Sequence, residues 1–335
     1  NISNKLYTEK DFTFSGTAEV KGTDAGTYDM ALKPEDFANT NANFSKVTFV
    51  IEDGQLVIEK RKVTLTSGSG EKVYDGQPLT NGTVTVGGAD GFAKNEGATY
   101  DVTGSRTDVG ESDNTFTYTL NKGTKADNYT IEKTEGKLKV TAVTDEVVVT
   151  IKENAGTEKY DGTEKTVTGY TVKSISNKLY TEKDFTFNGT AEVKGTDAGT
   201  YDMALKASDF ANTNANFSKV TFKIEDGQLV IEKRKVTLTS ETASKEYDGT
   251  ALTRPVVAVT GDGFVDGEVA GIAAEGEVTH VSEGEVTNTI TYTPVDGKFD
   301  ADNYTITKKE GKLSITPLDG VVVTIKGRTK TVTYN

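Results

Sequence analysis

A shift of 173 places lays residues 2–67 on residues 175–240 without a gap, and only four of the 66 aligned positions differ. A copy this faithful marks a repeat array, in which one small module must fold again and again from the same instructions. The differences are Ser15 against Asn188, Pro34 against Ala207, Glu35 against Ser208 and Val50 against Lys223. All are changes that a loop or a solvated strand face accepts at little cost.

An older period lies inside this one. The triplet Tyr-Asp-Gly recurs at Tyr74, Asp75 and Gly76, at Tyr160, Asp161 and Gly162, and at Tyr247, Asp248 and Gly249, spaced by 86 and then 87 residues. Two related unit types therefore alternate. The spacing predicts a type A repeat shortened at its front over 1–60, a type B repeat over 61–145, a second A over 146–233, a second B over 234–317, and the start of a further A over 318–335. Each type closes similarly, with an Asn-aromatic pair (Asn43-Phe44, Asn128-Tyr129, Asn216-Phe217, Asn303-Tyr304) and a Gly-x-Leu strand at Leu56, Leu138, Leu229 and Leu313. Residues 321–334 align on 147–160, so the material missing at the front of the first A repeat is partly present at the back. Strand exchange between these two ends is one expected association.

Local patterning is that of strands. Apolar and polar residues alternate in 62–66, in Thr48-Phe49-Val50-Ile51, in 115–119 and in 147–151, the period of two expected of half-buried strands. Helical spacing is nearly absent; residues 33–38 offer one turn, with Pro34 suited to its start. Between A and B the run 55–66 holds no Gly, Pro or Ser, which predicts one strand passing straight into the next and a stiff joint rather than a flexible coil. The expected fold class is all-β, a linear array of small β-sandwich-like domains, with β-grasp-like units as the alternative.

Composition bounds the chemistry. The 51 acidic against 38 basic residues leave a net charge of −13, which repels nucleic acid and anionic membrane surfaces. Cysteine is absent, so disulfides, thiolate catalysis and zinc-thiolate sites are excluded. No apolar run reaches the ~18 residues needed to cross a bilayer. The single histidine, His280, sits in a strand-like stretch over 277–281, and with no partner nucleophile motif it assembles no acyl-transfer triad. The acidic turns 262–267 and 300–303 carry oxygen ligands but lack the full calcium-loop pattern, and read as turns whose Asp and Asn bond their own backbone. The glycines of 87–91 fit neither phosphate-loop spacing nor a strand-to-helix context. An intramolecular Lys–Asn isopeptide bond is a chemical option for a protein without cysteine, and needs a buried Lys beside an Asn or Asp with a carboxylate to move protons. No catalytic, cofactor or metal residues are assigned. The Tyr-Asp-Gly triplets are expected to be structural, since Asp-Gly is a strong hairpin signal and a tyrosine ring can lie on a small core with its hydroxyl bonded.

The ordered series of Tyr-Asp-Gly, Asp-Ala-Gly-Thr-Tyr (residues 24–28 and 197–201), Asn-aromatic and Gly-x-Leu-x-Ile resembles the MBG or YDG-type tandem repeats of bacterial surface proteins. In the B repeats the second element departs to Asp108-Val109-Gly110 and Ser282-Glu283-Gly284. The resemblance implies a secreted, cell-wall-attached, adhesin-like protein of Gram-positive type, in which such repeats form a stalk that projects a distal binding module. It implies no enzyme. The expected function is mechanical spacing, with host glycan or matrix protein engaged by other parts of the parent protein; the alternative is that the repeats grip host glycan, mucin or matrix protein directly.

Overall fold

The computed structural model describes residues 1–334. Strands dominate between residues 12 and 316, and helix among the described residues is confined to single 3-10 turns of three residues. One of these is Pro34–Asp36, matched in the second copy by Ala207–Asp209. The chain forms two compact units, one of Asn1–Asp145 with Asn214–Lys219, the other of Glu146–Thr213 with the residues from Val220 onward.

In the first unit, Arg61–Ser67 runs between Tyr129–Thr134, to which it is parallel, and Val84–Gly87, to which it is antiparallel. A second sheet centres on Lys137–Thr141, parallel to Gly70–Val73 and antiparallel to Gly110–Asp113. The hairpin partners Ala98–Val102 and Phe116–Leu120 face the first sheet, and Val63, Leu65, Phe116 and Tyr129 close a core between them with Phe92, Tyr100 and Val102. Alternation is what makes this work: along Arg61–Ser67 every second side chain is buried, so one face fills the core while the other meets solvent. Each fully buried leucine or valine contributes about 1.5–3 kcal/mol.

The second unit repeats the scheme twice. Val147–Glu153 lies between Tyr170–Ile175 (antiparallel) and Val220–Glu225 (parallel), and Gln228–Glu232 lies between Gly156–Lys159 (parallel) and Gly199–Asp202 (antiparallel). Further on, Arg234–Ser240 takes the centre between Val257–Gly261 and Tyr304–Lys309, and Gly311–Thr316 the centre between Ala243–Glu246 and Val286–Asn288. In each complete repeat the first strand thus runs parallel beside the next-to-last, and the last strand parallel beside the second. Buried Leu252, Val278, Leu313 and Ile315 form a core of this unit.

Two sequence expectations need correction. The run 55–66 is not one strand: Gln55–Ile58 and Arg61–Ser67 are separated by residues 59–60, and Gln228–Glu232 is separated from Arg234–Ser240 by Lys233. The chain changes sheets there, and an arginine anchors the change. Arg61 donates to the carbonyls of Asp90 and Gly91, and Arg234 to those of Asp262 and Gly263.

The second correction is Thr48-Phe49-Val50-Ile51, which forms no strand, although the same segment in the second copy is the strand Val220–Glu225. That strand is held by Val147–Glu153, and no strand pairs with residues 48–51 of the first copy. A strand has unsatisfied N–H and C=O groups until something pairs with them. Residues 19–22 likewise form no strand, whereas their twin Glu192–Gly195 pairs with Lys165–Thr168. Packing follows pairing: Met203, Leu205, Phe210, Phe217 and Phe222 are buried, while Met30, Leu32, Phe37, Phe44 and Phe49 are only half-buried. Tyr170, whose ring lies 5.2 Å from that of Phe210, supplies part of the missing cover. At the far end residues 321–334 form no strand, and Val322, Ile325 and Tyr334 are 86%, 89% and 99% exposed. Asn335, the last residue of that segment, lies outside the described residues.

Candidate functional site

Each Tyr-Asp-Gly triplet occupies a turn. Gly76, Gly162 and Gly249 have φ of 76°, 79° and 79°, a left-handed backbone in which any side chain would be strained. The aspartate before each glycine closes the turn: Asp75 accepts from the N–H of Gln77, Asp161 from Thr163 and Asp248 from Thr250, each at 2.9 Å. A lysine sits on each of these carboxylates (Lys72, Lys165, Lys245) and holds it below the usual carboxylate range, with the turn's own hydrogen bonds adding to the effect. These aspartates are bonded locally and point at no shared cavity.

The tyrosines reach further. In the first unit Tyr74 packs edge-on against Phe217, with ring centroids 5.7 Å apart; in the second, Tyr160 packs edge-on against Tyr304 at the same separation. Glu268, 5% exposed, accepts both hydroxyls of the second pair, Tyr160 at 2.7 Å and Tyr304 at 2.6 Å. Burial first, then the Glu268 carboxylate, raise both phenols, Tyr304 to about 12. A phenol raised in the fold above its ordinary value near 10 stabilises the fold fully below pH 10, and that contribution is lost as pH climbs through the folded value. The second unit should therefore lose thermal stability between pH 10 and pH 12. A Tyr160→Phe/Tyr304→Phe variant should flatten that loss in calorimetric scans; an unchanged alkaline slope would remove the two phenols from the account.

Asparagine of the Asn-aromatic pair meets the Asp-x-Gly turn of another repeat, and does so three times. In the first unit Asn128 Oδ1 accepts from the Ala25 N–H at 2.7 Å while its Nδ2 donates to Asp24 at 3.0 Å. In the same unit Asn216 accepts from the Val109 N–H at 2.7 Å and donates to Asp108 at 3.0 Å. Within the second unit Asn303 accepts from the Ala198 N–H at 2.6 Å and donates to Asp197 at 2.9 Å. Asn303 is 1% exposed and Asn216 is 8% exposed, so these are desolvated, fully matched pairs that cost little to bury. Lys125 adds an ion pair to Asp24 and, with Asn128, holds its carboxyl below the ordinary range. Sequence reasoning singled out both motifs and did not pair them. The signal available was their near-constant separation of 104 to 108 residues.

A recess lies beside the first A repeat at the place that corresponds to that of Tyr160. It measures about 140 Å³ and is lined by Ile58, Glu59, Arg61, Ala93, Glu96 and Tyr129, among others. By the repeat, these are the counterparts of the residues that surround Tyr160. Tyr129 donates to Glu96 there, as Tyr304 does to Glu268.

The remaining candidates are local. His280 lies not in a strand, which ends at Val278, but at the head of the 3-10 turn Val281–Glu283, where Glu283 accepts the N–H groups of Thr279 and His280. Its ring lies 5.9 Å from that of Tyr247. In the acidic turns, Asp262 bonds the Lys235 N–H and pairs with Lys159, and Asp300 caps Asp302. No group of three or more His, Asp or Glu arranged to hold a metal occurs among the described residues. Gly88 and Gly91 take positive φ in the turn after Val84–Gly87, where Asp90 accepts the Lys62 N–H. The buried amides of Asn114 and Asn288 donate to backbone carbonyls. No helix among the described residues is long and apolar enough to cross a membrane.

Fold and site together define an all-β tandem-repeat protein whose recurring polar constellation is a joint between modules. Residues 147–233 match the family model described as MBG domain, which supports MBG-type repeats in this chain. No curated protein and no solved structure matches the chain.

Proposed function

We propose that the chain is a spacer: a run of MBG-type repeats of an extracellular bacterial surface protein, without catalytic activity, that holds a distal adhesive module away from the cell. The observation that carries this reading is the threefold recurrence of one joint. At each, an asparagine buttons onto the Asp-x-Gly turn of the other repeat, and twice a tyrosine ring locks edge-on over an aromatic beside it. Directional bonds at each joint, two of them around buried asparagines, restrict hinge motion, whereas a Gly/Ser tether would leave neighbours to move freely. Repeats that contact chiefly their neighbours add length with each copy.

The aromatic side chains support spacing over direct gripping of host glycan or matrix. Phe185, Phe187, Phe210 and Phe222 pack against one another, as do Phe264, Phe299 and Tyr304, so these rings are engaged internally. Small-angle scattering tests the reading. An elongated particle whose cross-section stays that of one repeat is expected; a compact particle, or an ensemble of independently tumbling beads, would overturn it. Retention on a glycan or matrix array by the isolated chain would favour direct binding instead.

A further inference from the structure

In every complete repeat the ribbon of chain that enters and the ribbon that leaves run parallel in one unbroken register. In the second A repeat residues 147–152 pair with 220–225 and residues 156–159 with 229–232, each residue facing the one 73 places later. In the first B repeat residues 61–66 pair with 129–134 and 70–73 with 138–141, at a separation of 68 throughout. In the second B repeat residues 234–239 pair with 304–309 and 243–246 with 313–316, at a separation of 70. A constant separation means that both sheets share one two-stranded ladder, which bends from the first sheet into the second without slipping.

At the bend the outgoing ribbon contributes a glycine and the incoming ribbon a buried acceptor. Gly136 and Gly311 donate their N–H groups to Ser67 Oγ and Ser240 Oγ, each at 2.9 Å, and Gly227 donates to the Glu153 carboxylate at 2.7 Å. Ser67, Ser240 and Glu153 are all buried. Their other bonds tie the bend to the body of the repeat: the serines donate to the carbonyls of Asn114 and Asn288, and Glu153 accepts from the Leu205 N–H. A Cβ at Gly136, Gly227 or Gly311 would lie 2.4, 2.2 or 2.3 Å from the carbonyl oxygen of Ser67, Asn154 or Glu241, so only glycine lets the two ribbons stay in contact as they turn.

Tension along the chain enters a repeat at the N-terminal end of the incoming ribbon and leaves at the C-terminal end of the outgoing one. Because the ribbons are parallel, these are opposite ends of the ladder. Each ribbon is then drawn lengthwise past the other, and the slanted, evenly spaced backbone hydrogen bonds share the force with the buried bond at the bend instead of parting one by one. In the second unit Lys233 alone separates the outgoing ribbon of the A repeat from the incoming ribbon of the B repeat, so force passes from one ladder to the next.

We propose that this parallel ladder is a mechanical lock that keeps each complete repeat folded under tension applied along the chain. Resistance to tension is separate from spacing: a compact particle in scattering would overturn the spacer and leave the lock untouched.

The chain has no cysteine, so handles on introduced cysteines can pull one ladder of the whole chain in two directions. Lys233→Cys with Leu318→Cys grips opposite ends of the ladder in the second B repeat and shears it. Lys233→Cys with Asp302→Cys grips adjacent ends, where the two side chains now stand 3.9 Å apart, and unzips it. All three positions are exposed. At one fixed tension the repeat should stay folded at least about tenfold longer in shear than in unzipping, because forced unfolding follows the unfolding rate. Release in shear should come as a single step. Should these variants fold poorly, Lys60→Cys with Thr144→Cys against Lys60→Cys with Asp127→Cys makes the same comparison on exposed residues of the first B repeat. Equal lifetimes in the two directions, or one ribbon peeling away ahead of the other in shear, would overturn the lock.

Discussion

Leu229→Ala is expected to destabilise the second A repeat by about 3 kcal/mol, while the identical change at its twin, Leu56→Ala, costs the first A repeat only about 1 kcal/mol. Leu229 is fully buried in Gln228–Glu232, which has a strand on each side; Leu56, in Gln55–Ile58, is half-buried and paired on one side. Deleting three carbons from a closed core leaves a cavity as well as losing transfer free energy, whereas at a half-open site water or a neighbour moves in. Because the chain has several folding units, a single melting temperature is a poor measure. Amide exchange at Gln228–Glu232 and at Gln55–Ile58 separates the two effects. Equal losses at both sites would mean that the first repeat is covered in solution.

Asn303→Ala should cost about 2–3 kcal/mol, and the loss should fall on the coupling between neighbouring repeats rather than on either one alone. The change leaves the Ala198 N–H without its acceptor and Asp197 without its amide donor, in a site that is almost dry. The expected readout is denaturant unfolding followed by probes on residues 146–213 and on residues 234–316: transitions that coincide in the parent should separate in the variant. Asn43, at the corresponding place in the first repeat, is exposed, and Asn43→Ala should change stability by no more than about 0.5 kcal/mol. If both substitutions behave alike, the buttoned asparagine is not what joins the repeats.

The motifs that sequence reasoning could place were those whose meaning is local. Asp-Gly forms the tight turn wherever it occurs, and Gly76, Gly162 and Gly249 take the same positive φ. The alternation in residues 62–66 and 147–151 dictated which side chains face inward, because a strand has a period of two whatever it pairs with. What could not be read is how two local motifs meet. Asp24 and Asn128, or Asp197 and Asn303, lie more than a hundred residues apart, and each alone has an adequate explanation as a turn residue. The same holds for Glu268: only the fold shows that it bridges two tyrosines from different repeats.

The two copies of the 66-residue segment draw the boundary between what is local and what is not. Sequence by itself determined the all-β class, the repeat period, the turns and the inward-facing positions, since these depend on neighbouring residues and on backbone stereochemistry. Tertiary structure alone decided whether residues with the same names become a strand and a core. Val220–Glu225 is a paired strand over a buried Phe222, while residues 47–52 are unpaired and Phe49 is half-exposed, because backbone hydrogen bonds and burial both need a partner that only the rest of the chain can bring.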